Sequence, residues 1–396
     1  MANLIIHRGG REIGGSAIEV RTQNARVLFD LGSPLDYNPK EASDVGRMRR
    51  SGVLPDILGL YYDDVPSFDA IVLSHAHTDH YGLINFAHPD IPLYLSRGSK
   101  VLMDLSARYL GYQAPSIKQI TFNMYQPFSI ADMKITPYLI DHSAFDAAAF
   151  EIVADGQRII YTGDFRRHGR KRGCFDRFVR QVAPSPDILL CEGTTLGRSY
   201  EVSKTESELE KEIVECLKRT NAIVLFQCAS QNIDRLVTFY RAAKSSGRTM
   251  VIDRYTAAVL AELRKLGSDL PTLRTHRNLS IYMPHDSRKA LMLVRPSMIA
   301  EMTENEIFQN GVFIYSLWSG YREDSRQKEL ESFLIERGFT IKVVHTSGHA
   351  DAETLRDLLS ALNPKQIIPI HTFWPERFTE FSDKVRVVQD GEVINC

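Results

Sequence analysis

No stretch of this 396-residue sequence stays apolar long enough to cross a bilayer. Nor does it open on a basic region followed by an apolar core and a cleavage site. Met1-Ala2-Asn3-Leu4-Ile5-Ile6-His7 reads as a first strand rather than a signal peptide, so no membrane partner is expected. Cysteine is scarce. Its five copies, Cys174, Cys191, Cys216, Cys228 and Cys396, are odd in number and show no paired spacing, which excludes a disulfide scaffold and fits free thiols in a reducing cytoplasm. Excess charge of either sign is lacking too. The formal net charge is −1, so a polyanion would have to be met by a local patch and not by the whole molecule. Two such patches stand out, Arg47-Met48-Arg49-Arg50 and the denser Arg166-Arg167-His168-Gly169-Arg170-Lys171-Arg172. Short repeats and low-complexity linkers are absent. What remains is an ordinary globular composition, 43% hydrophobic and 24% charged, in a chain too long for one ordinary core, so two domains are expected.

The densest chemistry is Ser74-His75-Ala76-His77-Thr78-Asp79-His80, where three histidines and one aspartate occupy six positions from His75 onward. Ala70-Ile71-Val72-Leu73 before it reads as a buried strand, and Tyr81-Gly82-Leu83-Ile84 after it as the start of a helix. Open α/β folds collect reactive groups in the loops at the carboxyl ends of strands, and this loop is so placed. Residues two apart in an extended loop point the same way, so His75 and His77 can grip one ion while Asp79 and His80 face a neighbouring position. Imidazole with carboxylate suits zinc, or manganese as a harder substitute. One such cluster cannot finish two sites. The same grammar, an apolar strand ending in a ligand-type residue, recurs at Leu139-Ile140-Asp141-His142-Ser143 and at Ile159-Ile160-Tyr161-Thr162-Gly163-Asp164, which makes His142 and Asp164 candidates. Asp30, at the end of Arg26-Val27-Leu28-Phe29, reads equally as a turn former or as a carboxylate that orients the metal loop from behind.

The texture changes after Cys191-Glu192-Gly193-Thr194-Thr195. Residues 203–219 are strongly helical, with Ser203 as N-cap and Glu206 as its capping-box partner. Strands at 222–226, 250–252 and 312–316 alternate with helices at 232–243, 256–266 and 325–337, the pattern of a parallel α/β unit. A strand over 340–345, a loop, a helix over 351–362 and a strand over 366–371 then return to the earlier grammar. Trp318 and Tyr321 suit base stacking or core packing.

The run His75-x-His77-x-Asp79-His80 resembles the signature of the metallo-β-lactamase superfamily. Cys191-Glu192-Gly193-Thr194-Thr195, Ser316-Leu317-Trp318-Ser319-Gly320-Tyr321, His345-Thr346-Ser347-Gly348-His349-Ala350 and Pro369-Ile370-His371-Thr372, in that order, resemble its β-CASP branch, and ribonuclease J-like enzymes most of all. The resemblance implies an α/β fold, a metallo-β-lactamase αββα sandwich built from residues 1–197 and 339–396 with a β-CASP α/β domain inserted over 198–338. It implies two Zn2+, or Mn2+. One ion would be held by His75, His77, His142 and Asp164, the other by Asp79, His80, Asp164 and His371. Glu192 would be the acid of the first β-CASP motif and His349 the histidine of the second. The implied activity is hydrolysis of phosphodiester bonds in single-stranded RNA, or DNA, by exo- or endonucleolytic cleavage, with Asp79, Glu192 and His349 as catalytic residues. Glu192 would aim His349 to protonate the leaving oxygen. Ser347, Gly348, His349 and Ala350 would hold a phosphate at a helix N-terminus. The chain departs from the ribonuclease J-like pattern in reading Glu-Gly-Thr-Thr where Asp-Ser-Thr-Asn is usual, and no long segment follows His371 for their additional C-terminal domain. The rival readings are a two-zinc hydrolase of small esters, lactones or thioesters and a non-catalytic relative. The oligomeric expectation is a monomer or a homodimer.

Overall fold

The computed structural model describes residues 2–37, 44–197, 203–267 and 279–396. The expected start of the insert at residue 198 lies outside these. The chain divides into two compact units, Met1–Arg167 with Lys171–Val202 and Gly348–Cys396, and His168–Arg170 with Ser203–Ser347. Among the described residues no helix is long and apolar enough to cross a membrane.

The first unit holds two sheets. One orders its strands Val393–Asn395, Asn3–Arg8, Ala17–Arg21, Arg26–Phe29, Ala70–Val72, Leu93–Ser96 and Gln119–Phe122. The other runs Gln366–Ile370, Ile188–Glu192, Gln157–Tyr161, Ala148–Ala154, Met133–Leu139 and Phe128–Ile130. Period-two alternation decides what faces what. In Ile188–Glu192, Ile188 and Leu190 enter the core shared by the two sheets, while Leu189 and Cys191 face a second apolar layer outside. In Ala148–Ala154, Phe150 and Ile152 point inward and Ala149 outward. The Phe150 ring packs 5.6 Å from Phe29 and 5.7 Å from Phe122, centroid to centroid. The outer layer is closed by helices Gly173–Gln181 and Ala352–Leu362. The latter presents Leu355, Leu358, Leu359 and Leu362 at the i, i+3, i+4, i+7 spacing of one helical face. Helix Arg97–Leu110 packs on Leu93–Ser96 and Gln119–Phe122 of the other sheet. The result is an αββα sandwich. Burial of Cys191 pushes its thiol well up, so it is an inert core residue.

The second unit is a six-stranded parallel sheet, ordered Leu279–Ser280, Thr249–Val251, Ala290–Leu293, Val224–Gln227, Val312–Tyr315 and Thr340–Val343. Its helix Glu206–Arg219 is capped differently from the sequence expectation. Thr205 and Glu208 form the reciprocal capping box. Glu206 is instead turned inward and buried, accepting from Arg235 Nη2 at 3.0 Å and Thr238 Oγ1 at 2.6 Å. A buried guanidinium needs a carboxylate, and that demand outweighs a cap available one turn position later.

The Arg166–Arg172 run is likewise not a free basic patch. Arg166 is fully buried against Asp141, Nε to Oδ1 3.3 Å. Arg167 meets Asp357 at 2.5 Å and Asp176 at 3.2 Å, and Arg170 meets Glu210 at 2.6 Å. Its charge is largely neutralised within each unit. In the other run, Arg49 pairs with Asp64 at 2.7 Å.

Glu19 shows the same need for partners. Its side chain is buried in strand Ala17–Arg21, where burial alone would raise its pKa, but hydrogen bonds from His7 Nε2 at 2.8 Å and Arg26 Nε at 2.8 Å outweigh that and hold it at about 2. A carboxylate depressed on folding adds stability above its unfolded pKa of about 4.3 and loses it as pH falls toward the folded value. Urea unfolding between pH 5 and 2 should therefore show a loss of roughly 3 kcal/mol that is absent in Glu19→Gln.

Candidate metal centre

The strands Arg26–Phe29, Ala70–Val72, Gln157–Tyr161, Ile188–Glu192 and Gln366–Ile370 each end just before or at a residue that bears chemistry: Asp30, Ser74 and His75, Asp164, Glu192, His371. Met133–Leu139 joins them. It runs antiparallel to Ala148–Ala154, which runs antiparallel to Gln157–Tyr161, so His142 emerges at the same edge as Asp164.

The loop after Ala70–Val72 is tighter than an extended one. The helix expected from Tyr81 onward begins inside the motif instead, as a single turn Thr78–Tyr81 with His77 at its N-cap, and ends where it was expected to start. Asp79 and His80 therefore leave the path of His75 and His77 by helical twist and not by alternation. The turn is tied down by Ser16 N–H to Asp79 O at 3.2 Å, Leu31 N–H to His80 O at 2.9 Å and Ser33 N–H to Thr78 O at 3.0 Å. Gly32 is needed here, because a Cβ would strike the Asp79 carbonyl.

His75 Nε2, His77 Nδ1 and His142 Nε2 converge, with His77 Nδ1 lying 3.2 Å from the first and 3.1 Å from the last. Their tautomers follow from what lies behind them. The Gly348 carbonyl only accepts, so the 2.6 Å contact puts a proton on His142 Nδ1 and leaves a lone pair on Nε2. Ser74 Oγ donates to Asp30 Oδ2 at 2.7 Å and accepts from His75 Nδ1 at 3.0 Å, leaving His75 Nε2 the same way. Burial, aided by the neighbouring rings, holds His75 and His142 far below the usual histidine range. Burial brings His77 down to about 4. Three neutral imidazoles turn a ring nitrogen to one point, and those of His75 and His142 bring lone pairs that a cation there would satisfy. Ligands about 2.0–2.1 Å from a tetrahedral zinc stand about 3.3 Å apart, close to the separations found.

Beside them Asp79, His80, Asp164 and His371 form a second group, ligand atoms within 4.8 Å of one another. Asp164 Oδ2 is 3.1 Å from His80 Nε2 and 3.8 Å from His75 Nε2, so it faces both groups. Asp164 Oδ1 is buried without a hydrogen-bond partner among the described residues. Burial would raise the Asp164 and Asp79 carboxyls, yet the surrounding imidazoles hold both ionised, well below the usual range. His80 is buried between Asp164 and Asp30, whose charges outweigh desolvation and push it well up. A cation at Nε2 would feel the same field as that proton. His371 follows Gln366–Ile370 in a left-handed conformation, φ 51°. Its Nδ1 meets Thr194 Oγ1 at 2.9 Å, and its Nε2 accepts from Gly14 N–H at 3.0 Å and lies 3.4 Å from Asp79 Oδ2. The donor set of both groups suits divalent metal.

Glu192 is fully buried and pinned by the N–H groups of Phe165, Thr194 and Ala350 at 3.1, 3.1 and 3.3 Å. Its Oε1 lies 3.3 Å from His349 Nδ1, which is also 3.6 Å from Asp164 Oδ2. Burial lowers the His349 pKa, but Glu192 and Asp164 raise it by more, so the ring favours the imidazolium. Part of the phosphate cradle expected at Ser347–Ala350 serves other partners. The following helix begins at Ala352 and its N-terminus is capped by the Asp351 carboxylate, while the Ala350 N–H serves Glu192. Ser347 falls in the second unit, its carbonyl accepting from His168 Nε2 at 2.8 Å.

A family model described as a beta-lactamase superfamily domain matches residues 55–226, the stretch that supplies most of these side chains. Over that stretch the chain is similar to the beta-lactamase superfamily. A second family model, a Zn-dependent metallo-hydrolase RNA specificity domain, matches 335–387. Ribonuclease J of Mycobacterium tuberculosis is 24% identical over 399 residues, covering 92% of this chain and 68% of the relative. An RNase J-like protein of Methanocaldococcus jannaschii is 27% identical over 233 residues, covering 56% and 49%. The chain thus spans about two thirds or less of these relatives. A crystal structure of a protein of unknown function from Enterococcus faecalis V583 superposes with a TM-score of 0.81 at 23% identity, covering 99% of both chains, and shows the same fold. The motif resemblance to the β-CASP branch agrees with these relatives.

Sequence reasoning passed over Thr194, Tyr161 and Gly14. Thr194 and Tyr161 sit at or just beyond strand ends, a signal that was available. Nothing local shows that the Gly14 N–H reaches a residue 357 positions away. Asp30 proves to be the common acceptor behind the centre, taking Ser74 N–H and Oγ at 2.7 Å each, His80 Nδ1 at 2.8 Å and Tyr161 OH at 2.5 Å. Asp30→Ala should leave these buried donors unmet. We expect a stability loss of about 3 kcal/mol or more by urea unfolding, and divalent-metal affinity weakened about 10–100-fold by competition with a chelator.

Proposed function

We propose that the protein is a metal-dependent nuclease that hydrolyses phosphodiester bonds of single-stranded RNA, and secondarily DNA. The observation that carries this is the shared position of Asp164, between three converging imidazoles on one side and Asp79, His80 and His371 on the other, with the Glu192–His349 pair against it. We take His75, His77, His142 and Asp164 as the ligands of one ion and Asp79, His80, Asp164 and His371 as those of a second, zinc by preference. We likewise take Ser203–Ser347 as the β-CASP insert of the sandwich. Bound ions would supply Lewis acidity at the phosphoryl oxygens and a water nucleophile ionised near neutral pH.

The chain's own residues do the rest. Asp30, through Ser74 and His80, fixes the direction in which two imidazoles face, and the Gly348 carbonyl does so for His142. Glu192, unable to turn because three backbone N–H groups hold it, keeps the His349 ring aimed and charged. The leaving oxygen of a nucleic acid is a poor leaving group, and His349 is placed to protonate it. A small ester needs no such donor.

End-labelled RNA incubated with zinc- or manganese-loaded protein should be cleaved. Asp79→Ala combined with His80→Ala should abolish cleavage, and intact RNA with the loaded wild type, or full activity in the double variant, would count against the nuclease. His349→Ala should lower kcat about 10²–10⁴-fold on RNA. A panel of chromogenic esters and lactones separates the small-molecule reading: turnover there with RNA untouched would favour it.

A further inference from the structure

Beside the His371 loop the protein displays two aromatic rings that its own core does not use. Phe373 and Trp374 are 53% and 54% exposed, two and three residues beyond His371. Consecutive Cα atoms are 3.8 Å apart, so Trp374 lies within about 11 Å of the centre's histidine along the chain. The display is rigid. Trp374 N–H donates to Thr372 Oγ1 at 3.1 Å, the Trp374 carbonyl accepts from Arg377 N–H at 3.1 Å, and buried Pro375 opens the next turn. The indole rests on Gly197, where a side chain would collide with the ring. Leu35 is also half exposed. A Cβ built on Gly14 would fall 3.1 Å from Leu35 Cγ and 3.2 Å from Asp79 Cβ, so Leu35 borders the Asp79 side of the centre.

An indole half in water gains little for the fold, and one pinned in place is pre-organised for a flat partner. Residues 335–387, which include both rings, match the RNA specificity model. We propose that Trp374, with Phe373, is a stacking platform for an unpaired nucleobase neighbouring the phosphate that reacts at the centre. This rests on the nuclease reading and deepens it by assigning where the strand is gripped. Stacking of this kind tolerates any base, because every base has a π face.

The sequence holds two tryptophans. Trp318→Phe leaves Trp374 as the sole indole emitter, and Trp374→Phe leaves Trp318. Each full-length protein is titrated with a hydrolysis-resistant phosphorothioate oligoadenylate. Emission should fall on binding in the Trp318→Phe protein and stay constant in the Trp374→Phe protein. Phe373→Ala with Trp374→Ala should raise the oligonucleotide Kd about tenfold or more by anisotropy. Quenching confined to the Trp318 reporter, an unchanged Kd, or a change from dimer to monomer on gel filtration of the double variant would overturn the platform, the last because a second copy would be what covers it. A wild-type protein that binds no oligoribonucleotide would sink the nuclease reading with it. Binding with Trp374 silent would sink the platform alone.

Discussion

A buried carboxylate organises the sandwich's working edge. Asp164 has almost no exposure to water, and an unpaired charge there would cost several kcal/mol. The fold meets that cost by gathering His75, His80, His349 and His371 within 3.8 Å of its two oxygens, each from a different part of the chain or a different turn of it. The imidazoles have the converse problem, several rings in one small volume. Burial with mutual repulsion holds the innermost ones neutral, and each ring with a backing acceptor directs its proton outward. Carboxylate and imidazoles together make a pocket of lone pairs and negative charge that is stable only around positive charge.

Rigidity is placed behind this pocket. Behind lie Asp30 and Glu192, both fully buried, both satisfied by several donors and both at strand ends where the ladder gives out. Backbone groups do as much as side chains here. The Gly348 carbonyl sets the His142 tautomer and the Gly9 carbonyl accepts the His371 N–H. Leu35, near Asp79, and Phe373 and Trp374, just beyond His371 in the chain, remain half exposed. A site with a fixed back wall suits a substrate whose reacting group is invariant.

Much of the fold could be read directly. Alternating strands such as Ile188–Glu192 and the leucine face of Ala352–Leu362 carry their burial in their spacing, and helices such as Ser325–Glu336 fell within a residue or two of expectation. The failures share a cause. Glu206 reads as a capping residue and is instead the partner of Arg235, and Arg166 reads as part of a patch for a polyanion and is instead the partner of Asp141. In each, a long-range buried ion pair overrode a local preference worth about a kcal/mol. The helix inside the His75–His80 motif was missed for a similar reason, since its one turn is held by Ser16, Leu31 and Ser33 from other segments.

By itself the sequence determined the class of chemistry, because six positions crowded with histidine and aspartate have few other physical uses, and it determined that strand ends would carry the groups to complete them. Only the tertiary structure decided which atom of the His75 and His142 rings faces inward, that the helix N-terminus after His349 is already capped by Asp351, and that Trp374, three residues beyond His371, holds an exposed indole. Those outcomes depend on hydrogen bonds between residues up to hundreds of positions apart, and no local pattern encodes a distance of that kind.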